Sequence, residues 1–195
     1  MKLLFATQNK NKVLEVQQII GDHHEINTLH EMNFDDELPE TQDTLEANAR
    51  EKVNFIYQKF GINCFAEDSG LEIDSLNGEP GAFSARYAGD ERSDEKNIQL
   101  VLERLRDQEN RSAQFRTVIA LVINDKEFLY EGIIRGQITK SPRGEGGFGY
   151  DPIFVPDGYD KTFAELGLNV KTQISHRAKA FLKLKDFLES DFAFV

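Results

Sequence analysis

The 195-residue chain contains one cysteine, Cys64, and no tryptophan. A lone thiol excludes an internal disulfide framework and any metal site built from several thiolates, and it suits a reducing compartment such as the cytoplasm. Basic residues are in deficit. Lys and Arg number 23 against 34 Asp and Glu, a formal net charge of −11, which argues against a surface made for nucleic acid or for an anionic membrane. Long apolar runs are missing too: in the opening MKLLFATQNKNK only Leu3 to Ala6 are consecutively apolar, too few for a signal peptide or a bilayer span. No internal repeat and no low-complexity linker interrupts the sequence, so residues 1–195 read as a single domain. Hydrophobic residues make up 39% of the chain and aromatics 10%, enough to bury a core and too much for a disordered acidic chain.

The hydropathy pattern alternates between two periods. Leu3 to Ala6 read as a short buried strand, followed by a helix with Val13, Val16 and Ile20 on one face and Gly21 as its stop. Asp43 with Glu46 predicts a capping box. Leu45, Ala49, Val53, Ile56 and Phe60 then recur at helical spacing up to Gly61. Asn63 to Ala66 and Leu71 to Leu76 read as two strands separated by a tight polar turn at Glu67-Asp68-Ser69-Gly70, with a hairpin turn at Asn77-Gly78. Ser93 caps a helix that turns Ile98, Val101, Leu102 and Leu105 inward. From Ala113 the period becomes two, through Phe115, Thr117, Ile119, Leu121 and Ile123, and again through Phe128, Tyr130, Ile134 and Ile138, a long antiparallel pair joined at Asn124-Asp125-Lys126. Gly132 and Gly136 mark bulges or close approaches within it. A short strand at Ile153 to Val155 and a final helix with Ile174, Phe181, Leu184 and Leu188 on one stripe complete a mixed α/β domain.

Four segments carry groups suited to chemistry. Thr7-Gln8-Asn9-Lys10-Asn11-Lys12 places a hydroxyl, amides and ammonium groups where a strand leads into a helix, an arrangement that favours phosphate, although it lacks the glycines of a P-loop. Glu67 and Asp68 offer adjacent carboxylates suited to Mg²⁺ or to deprotonating a water, with Glu37, Glu40 and Asp43 as further acids. The loop from Gly144 to Pro152 has four glycines around Phe148 and Tyr150, so its main chain can approach a ligand while a ring stacks on a planar base. Lys171, His176 and Arg177 gather cations and donors at the start of the last helix, where the macrodipole gives no structural reason for them. His23 and His24 read as surface loop residues.

ATQNKNKVLEV, AEDSGLEIDSLNGEPGAFSARYAG, GGFGYDPIF, KTFAEL and KTQISHRAKA occur in that order, and together they resemble the inosine and xanthosine triphosphate pyrophosphatases. The resemblance spans nearly the whole chain. It implies Mg²⁺-dependent hydrolysis of ITP, dITP and XTP to the nucleoside monophosphate and pyrophosphate. It also implies a long mixed, partly antiparallel sheet flanked by helices, with two lobes around a central nucleotide cleft, in a homodimer. By similarity Asp68 is the catalytic base and, with Glu40 in PETQDT, a metal ligand. Thr7, Gln8, Asn9, Lys10, Asn11 and Lys12 lie in the triphosphate stretch, joined by Lys52 and Ser69. Phe148, Gly149, Tyr150 and Asp151 form the nucleotide loop, with Phe148 as the stacking ring, and Lys171, His176 and Arg177 surround the purine, the last two donating to its 6-oxo group. Gln8 stands where many members have Gly, and Glu67 where many have Asp. A related pyrophosphatase with another base preference and a non-catalytic nucleotide-binding module are the rival readings. A binder has no need of a water-activating carboxylate.

Overall fold

Leu3, Leu4 and Phe5 form the buried part of strand β1 (Lys2–Phe5), and helix α1 (Lys10–Ile20) follows as the spacing predicts. The computed structural model describes residues 2–20 and 25–190. Asn9 starts α1: its Oδ1 accepts from the main-chain N–H groups of Asn11 and Lys12, which satisfies donors the helix leaves free. Strand β2 (Glu25–Thr28) lies parallel to β1. The predicted stop at Gly21 and the loop at His23 and His24 lie outside the described residues.

Helix α2 (Leu45–Phe60) ends at Gly61, whose φ of 62° is the left-handed conformation that glycine adopts without strain. Its start corrects the expectation of an Asp43–Glu46 capping box. Thr44 is the cap, accepting from the N–H of Ala47, and the Glu46 carboxylate pairs with the Arg116 guanidinium instead, a charged partner that outcompetes a main-chain amide.

The larger correction concerns residues 67–70. No turn forms there. β3 (Cys64–Ile73) is a single ten-residue strand, antiparallel to β4 (Ser112–Ile123) in unbroken register from Cys64 opposite Val122 to Ile73 opposite Ala113. Its polar residues stay in the ladder because distant elements supply charged partners for them, and Gly70 belongs there because a Cβ would collide with the Gly81 carbonyl. Side chains alternate along a strand, so Glu67 and Asp68 project from opposite faces.

β4 turns into β5 (Lys126–Ile138) through Asn124 and Asp125, both at positive φ, as a tight hairpin requires. Gly132 and Gly136 are close approaches rather than bulges. A Cβ at Gly132 would strike the main chain of His176 and Ala180, and one at Gly136 the carbonyl of Val155. Strand β6 (Phe154–Pro156) completes a six-stranded sheet of order β2-β1-β3-β4-β5-β6, parallel on the β1 side of β3 and antiparallel beyond it. This is the mixed sheet the sequence predicts. Ser93 caps α3 (Asp94–Arg104), and α4 (Phe163–Leu166) and α5 (Leu168–Ile174) precede α6 (His176–Glu189). The last apolar stripe is broken at Ser175, whose extended backbone ends α5 and whose hydroxyl caps α6, so Ile174 belongs to the shorter helix.

Packing explains where a site can form. α2 sets Ala49, Val53 and Ile56 on Ala66, Val118 and Ala120, on one face of the sheet. α1 and α6 set Val16, Ile20, Phe181 and Leu184 on Phe5, Phe65 and Ile119, on the other. Farther along β3 and β4, Leu71, Ile73 and Phe115 pack with Ile98, Val101 and Phe163. Between Phe65 and Leu71 the same strand face carries Glu67 and Ser69, opposite Ile119 and Thr117. Apolar residues at such positions would each contribute about 2 kcal/mol of burial. The chain forgoes that stability along a single stretch, where β1 has already left β3 and a cleft opens between two lobes.

Candidate active site

β1 pairs with β3 only as far as Phe5 opposite Phe65. Thr7, Gln8 and Asn9 then leave the sheet, and the freed edge of β3 borders a cavity of about 220 Å³. Because the cleft meets β3 edge-on, residues from both of its faces line it, Asp68 from one and Ser69 from the other.

On the α2 face, Asp68 Oδ1 lies 2.8 Å from Lys52 Nζ, while Oδ2 accepts from Asn48 Nδ2 at 3.2 Å. Lys52 also donates to Glu40 Oε1 at 3.0 Å. Asn48 and Lys52 sit one turn apart on α2, so one rigid helix orients both ends of this carboxylate–ammonium–carboxylate chain. Lys52 is only 3% exposed. Burial alone would depress its pKa, but Asp68 and Glu40 outweigh it and the net shift is upward, so the ammonium stays charged.

The other face carries a second ionic chain. Arg177 Nε donates to Glu67 Oε1 at 2.9 Å, Nη1 pairs with Glu15, and Nη2 reaches Ser69 Oγ at 3.4 Å. Glu15 Oε1 lies 2.9 Å from Lys171 Nζ, which is 2.6 Å from Asp151 Oδ2. That Asp151 oxygen also accepts from the Phe148 N–H at 3.0 Å, which folds the glycine loop so that the Phe148 ring lies 4.3 Å from Lys171 Nζ. Lys12 Nζ approaches Glu67 at 3.5 Å. Burial lowers the Lys12 pKa, with Glu67 opposing it. Burial likewise raises that of Asp151, with Lys171 only partly offsetting it.

Two groups tie folding to pH. Burial would raise the Glu67 pKa, but Arg177 and Lys12 hold it down to about 2. His176 stacks on Phe115 with ring centres 4.7 Å apart, and burial followed by the Arg177 and Lys171 charges lowers its pKa well below the ordinary 6.5. Both native pKa values are depressed, so the unfolded chain binds protons first and stability falls with acidification. His176 costs stability as pH drops below 6.5. The Glu67 contribution, about 3 kcal/mol, is present above its ordinary 4.5 and lost as pH falls toward 2. Urea unfolding between pH 7 and 3 is expected to show declining stability from about pH 6.5, with His176→Gln flattening the upper part of the decline. An unchanged profile in that variant would contradict the neutral histidine.

Thr7, Gln8, Asn9, Lys12, Lys52, Asp68, Ser69, Phe148, Gly149, Tyr150, Asp151, Lys171, His176, Arg177 and the metal candidate Glu40 all border the cleft, as the sequence reading grouped them. Lys10 and Asn11 do not: the first turn of α1 carries them away from the cleft lining, and Lys10 is exposed. Gln8 tethers the loop, its amide donating to the Asp36 carbonyl at 2.9 Å. Tyr150 is a core plug rather than a stacking platform, with its hydroxyl donating to the Ser84 carbonyl at 2.8 Å. Sequence reasoning missed Glu15, Asn48 and Arg92. Glu15 and Asn48 had a signal, since each lies one helical turn from a lysine, Lys12 or Lys52, on the inward side of its helix. Arg92 had none.

Residues 3–187 match the sequence model of the Ham1 family. The chain belongs to the Ham1 family. It is 50% identical to a protein of Flavobacterium psychrophilum named dITP/XTP pyrophosphatase, over 97% of this chain and all of that one. It is 43% identical to the Bacillus subtilis protein of the same name, over 96% of each chain. Among solved structures, the Staphylococcus aureus Ham1 protein superposes with a TM-score of 0.88 at 39% identity, covering 97% of this chain and 98% of that one. The motif resemblance is thus a relationship along the whole Ham1 fold, with its mixed sheet and flanking helices.

Proposed function

We propose that the chain hydrolyses ITP, dITP and XTP to the nucleoside monophosphate and pyrophosphate, with Mg²⁺, and so removes deaminated purines from the nucleotide pool. The observation that carries this reading is the Asp68–Lys52–Glu40 chain, buried at Asp68 and Lys52 and half-buried at Glu40, at a cleft that also holds an aromatic ring and the Lys171, His176 and Arg177 cluster. The names of its relatives point the same way.

Electrostatics favour a metal-bound polyphosphate. Lys12, Lys52, Arg92, Lys171 and Arg177 line the cleft against the carboxylates of Glu37, Glu40, Asp68, Asp94 and Asp151, with Glu15 and Glu67 paired behind them, so the site holds no surplus of positive charge before any ligand enters. A triphosphate adds about four negative charges, which calls for a divalent cation. Among the described residues no group of three or more His, Cys, Asp or Glu is arranged to hold a metal ion. Glu40 and Asp68, two hard oxygen donors, fit Mg²⁺, which commonly completes its shell with phosphate oxygens and water. When bound, the ion stabilises charge on the departing pyrophosphate.

The chain's own groups supply the remaining roles. Asp68, oriented by Lys52 and Asn48, takes the proton of the water that attacks the α-phosphorus. Lys12 and Lys52 hold the polyphosphate, Phe148 stacks on the base, and His176 with Arg177 faces the 6-oxo edge. An adenine amine would leave donors there unmatched, at a cost of roughly 1–3 kcal/mol per group.

The test is pyrophosphate release from ITP, XTP, dITP, GTP, ATP and dTTP side by side, with Mg²⁺ and with a chelator. Fast release from ITP, dITP and XTP, abolished by the chelator, is expected. Equal turnover of ATP and ITP would overturn the base preference. Tight ITP binding without turnover would establish the non-catalytic reading in its place.

A further inference from the structure

We propose that Arg92, on the turn before α3, binds the end of the polyphosphate that leaves as pyrophosphate, exchanging its contact with Glu40 for one with substrate. This inference rests on the pyrophosphatase reading and adds a binding residue to it.

Among the described cations that line the cleft, Arg92 alone is exposed. Its side chain is 55% accessible, against 15% for Lys12 and less for Lys52, Lys171 and Arg177. Lys52, Lys171 and Arg177 are buried against carboxylates at 2.9 Å or less, and Lys12 lies 3.5 Å from the buried Glu67. Among the described residues, Arg92 is held only by Glu40 Oε2, at 3.6 Å. An exposed ion pair of that length is weak and readily exchanged. Releasing it does not strand Glu40, because Lys52 holds the other oxygen at 3.0 Å and Arg86 lies 3.7 Å from Oε2.

The root of the side chain is fixed although its head is free. Arg92 has a φ of 51°. Next to it Ser93 caps α3 through the Lys96 N–H, and Asp94 Oδ2 accepts from the Gly149 N–H at 2.7 Å across the cleft. Asn97 secures the preceding turn, accepting from the Ala88 N–H at 2.7 Å and donating to the Ala85 carbonyl at 3.1 Å. An exposed guanidinium on a hydrogen-bonded base matches the planar, two-oxygen geometry of a phosphate.

Direction along the cleft assigns which phosphate. Asp68, Lys52 and Glu40 form a line of ion pairs, and Arg92 stands beyond its far oxygen. Phe148, on the glycine loop, lies over Lys171 of α5, and neither belongs to this run of pairs. With the attacked phosphorus at Asp68, the departing pyrophosphate follows this run of ion pairs toward Glu40 and Arg92.

Calorimetric titration with pyrophosphate and with IMP, each with Mg²⁺, tests this in wild type, Arg92→Ala and Arg92→Lys. Arg92→Ala is expected to weaken pyrophosphate binding about tenfold and to raise the KM for ITP by a similar factor, with IMP affinity held within about twofold. Arg92→Lys is expected to recover part of the loss, since it keeps the charge without the fork. Unchanged pyrophosphate affinity in Arg92→Ala would overturn the proposal, as would equal weakening of IMP, the sign of a loosened turn. Wild-type enzyme that binds pyrophosphate through Arg92 but releases none from ITP would refute the reaction and leave the anion contact standing.

Discussion

Asp68→Asn is expected to lower kcat for ITP about a thousandfold while ITP still binds, because removing a positioned general base costs on the order of 10²- to 10⁴-fold. The substitution is nearly isosteric: the new amide oxygen still accepts from Lys52, while its NH2 group takes the place of the oxygen that accepted from Asn48. Lys52 keeps the Glu40 carboxylate at 3.0 Å, so no buried ammonium is stranded and the fold is preserved. The loss therefore falls on turnover. Steady-state kinetics with a separate binding measurement separates the two effects, and near-normal kcat would remove Asp68 from the role of base.

Arg177→Met is expected to destabilise the protein by about 3 kcal/mol, since breaking a buried ion pair leaves charge uncompensated. Arg177 is 1% exposed and engages both Glu67 and Glu15. The loss stays at the lower end of the usual range because Lys12 and Lys171 still face those carboxylates. Adding Glu67→Gln is expected to restore part of the stability, as an amide costs less to bury than an unmatched carboxylate. Urea unfolding midpoints at constant slope report the energies. Equal stability of Arg177→Met and wild type would mean that the network contributes nothing to folding. Part of this arginine's donor capacity is thus spent on holding β3, α1 and α6 together, and its remaining nitrogen, Nη2, lies 3.4 Å from Ser69 Oγ.

The residues show which parts of this arrangement sequence reveals. The apolar spacing in α2 and its Gly61 stop, and the alternation through β4 and β5 with Asn124-Asp125 between, are local signals. Each came through nearly intact. Glu67-Asp68-Ser69-Gly70 misled because adjacent charges beside a glycine look like a turn. What makes them a strand lies elsewhere, in Lys52 sixteen residues from Asp68 and in Arg177, 110 residues from Glu67. Thr44 displaced Asp43 as cap for a similar reason, with Arg116 attracting Glu46 from seventy residues away. The candidate site was legible as a set of motifs, while its division between two faces of β3 was not, because it depends on where β1 ends. Lys10 and Asn11 show the limit of the motif: once Asn9 caps α1, the next two residues follow the helix surface instead of the cleft.

The identity of the products is the most direct measurement of the central claim. ITP is hydrolysed in water enriched in oxygen-18 with Mg²⁺, and the products are followed by phosphorus NMR and mass spectrometry. Attack at the α-phosphorus predicts IMP carrying the heavy oxygen and unlabelled pyrophosphate, both lost in Asp68→Asn. Labelled pyrophosphate, or IDP with free phosphate, would contradict it.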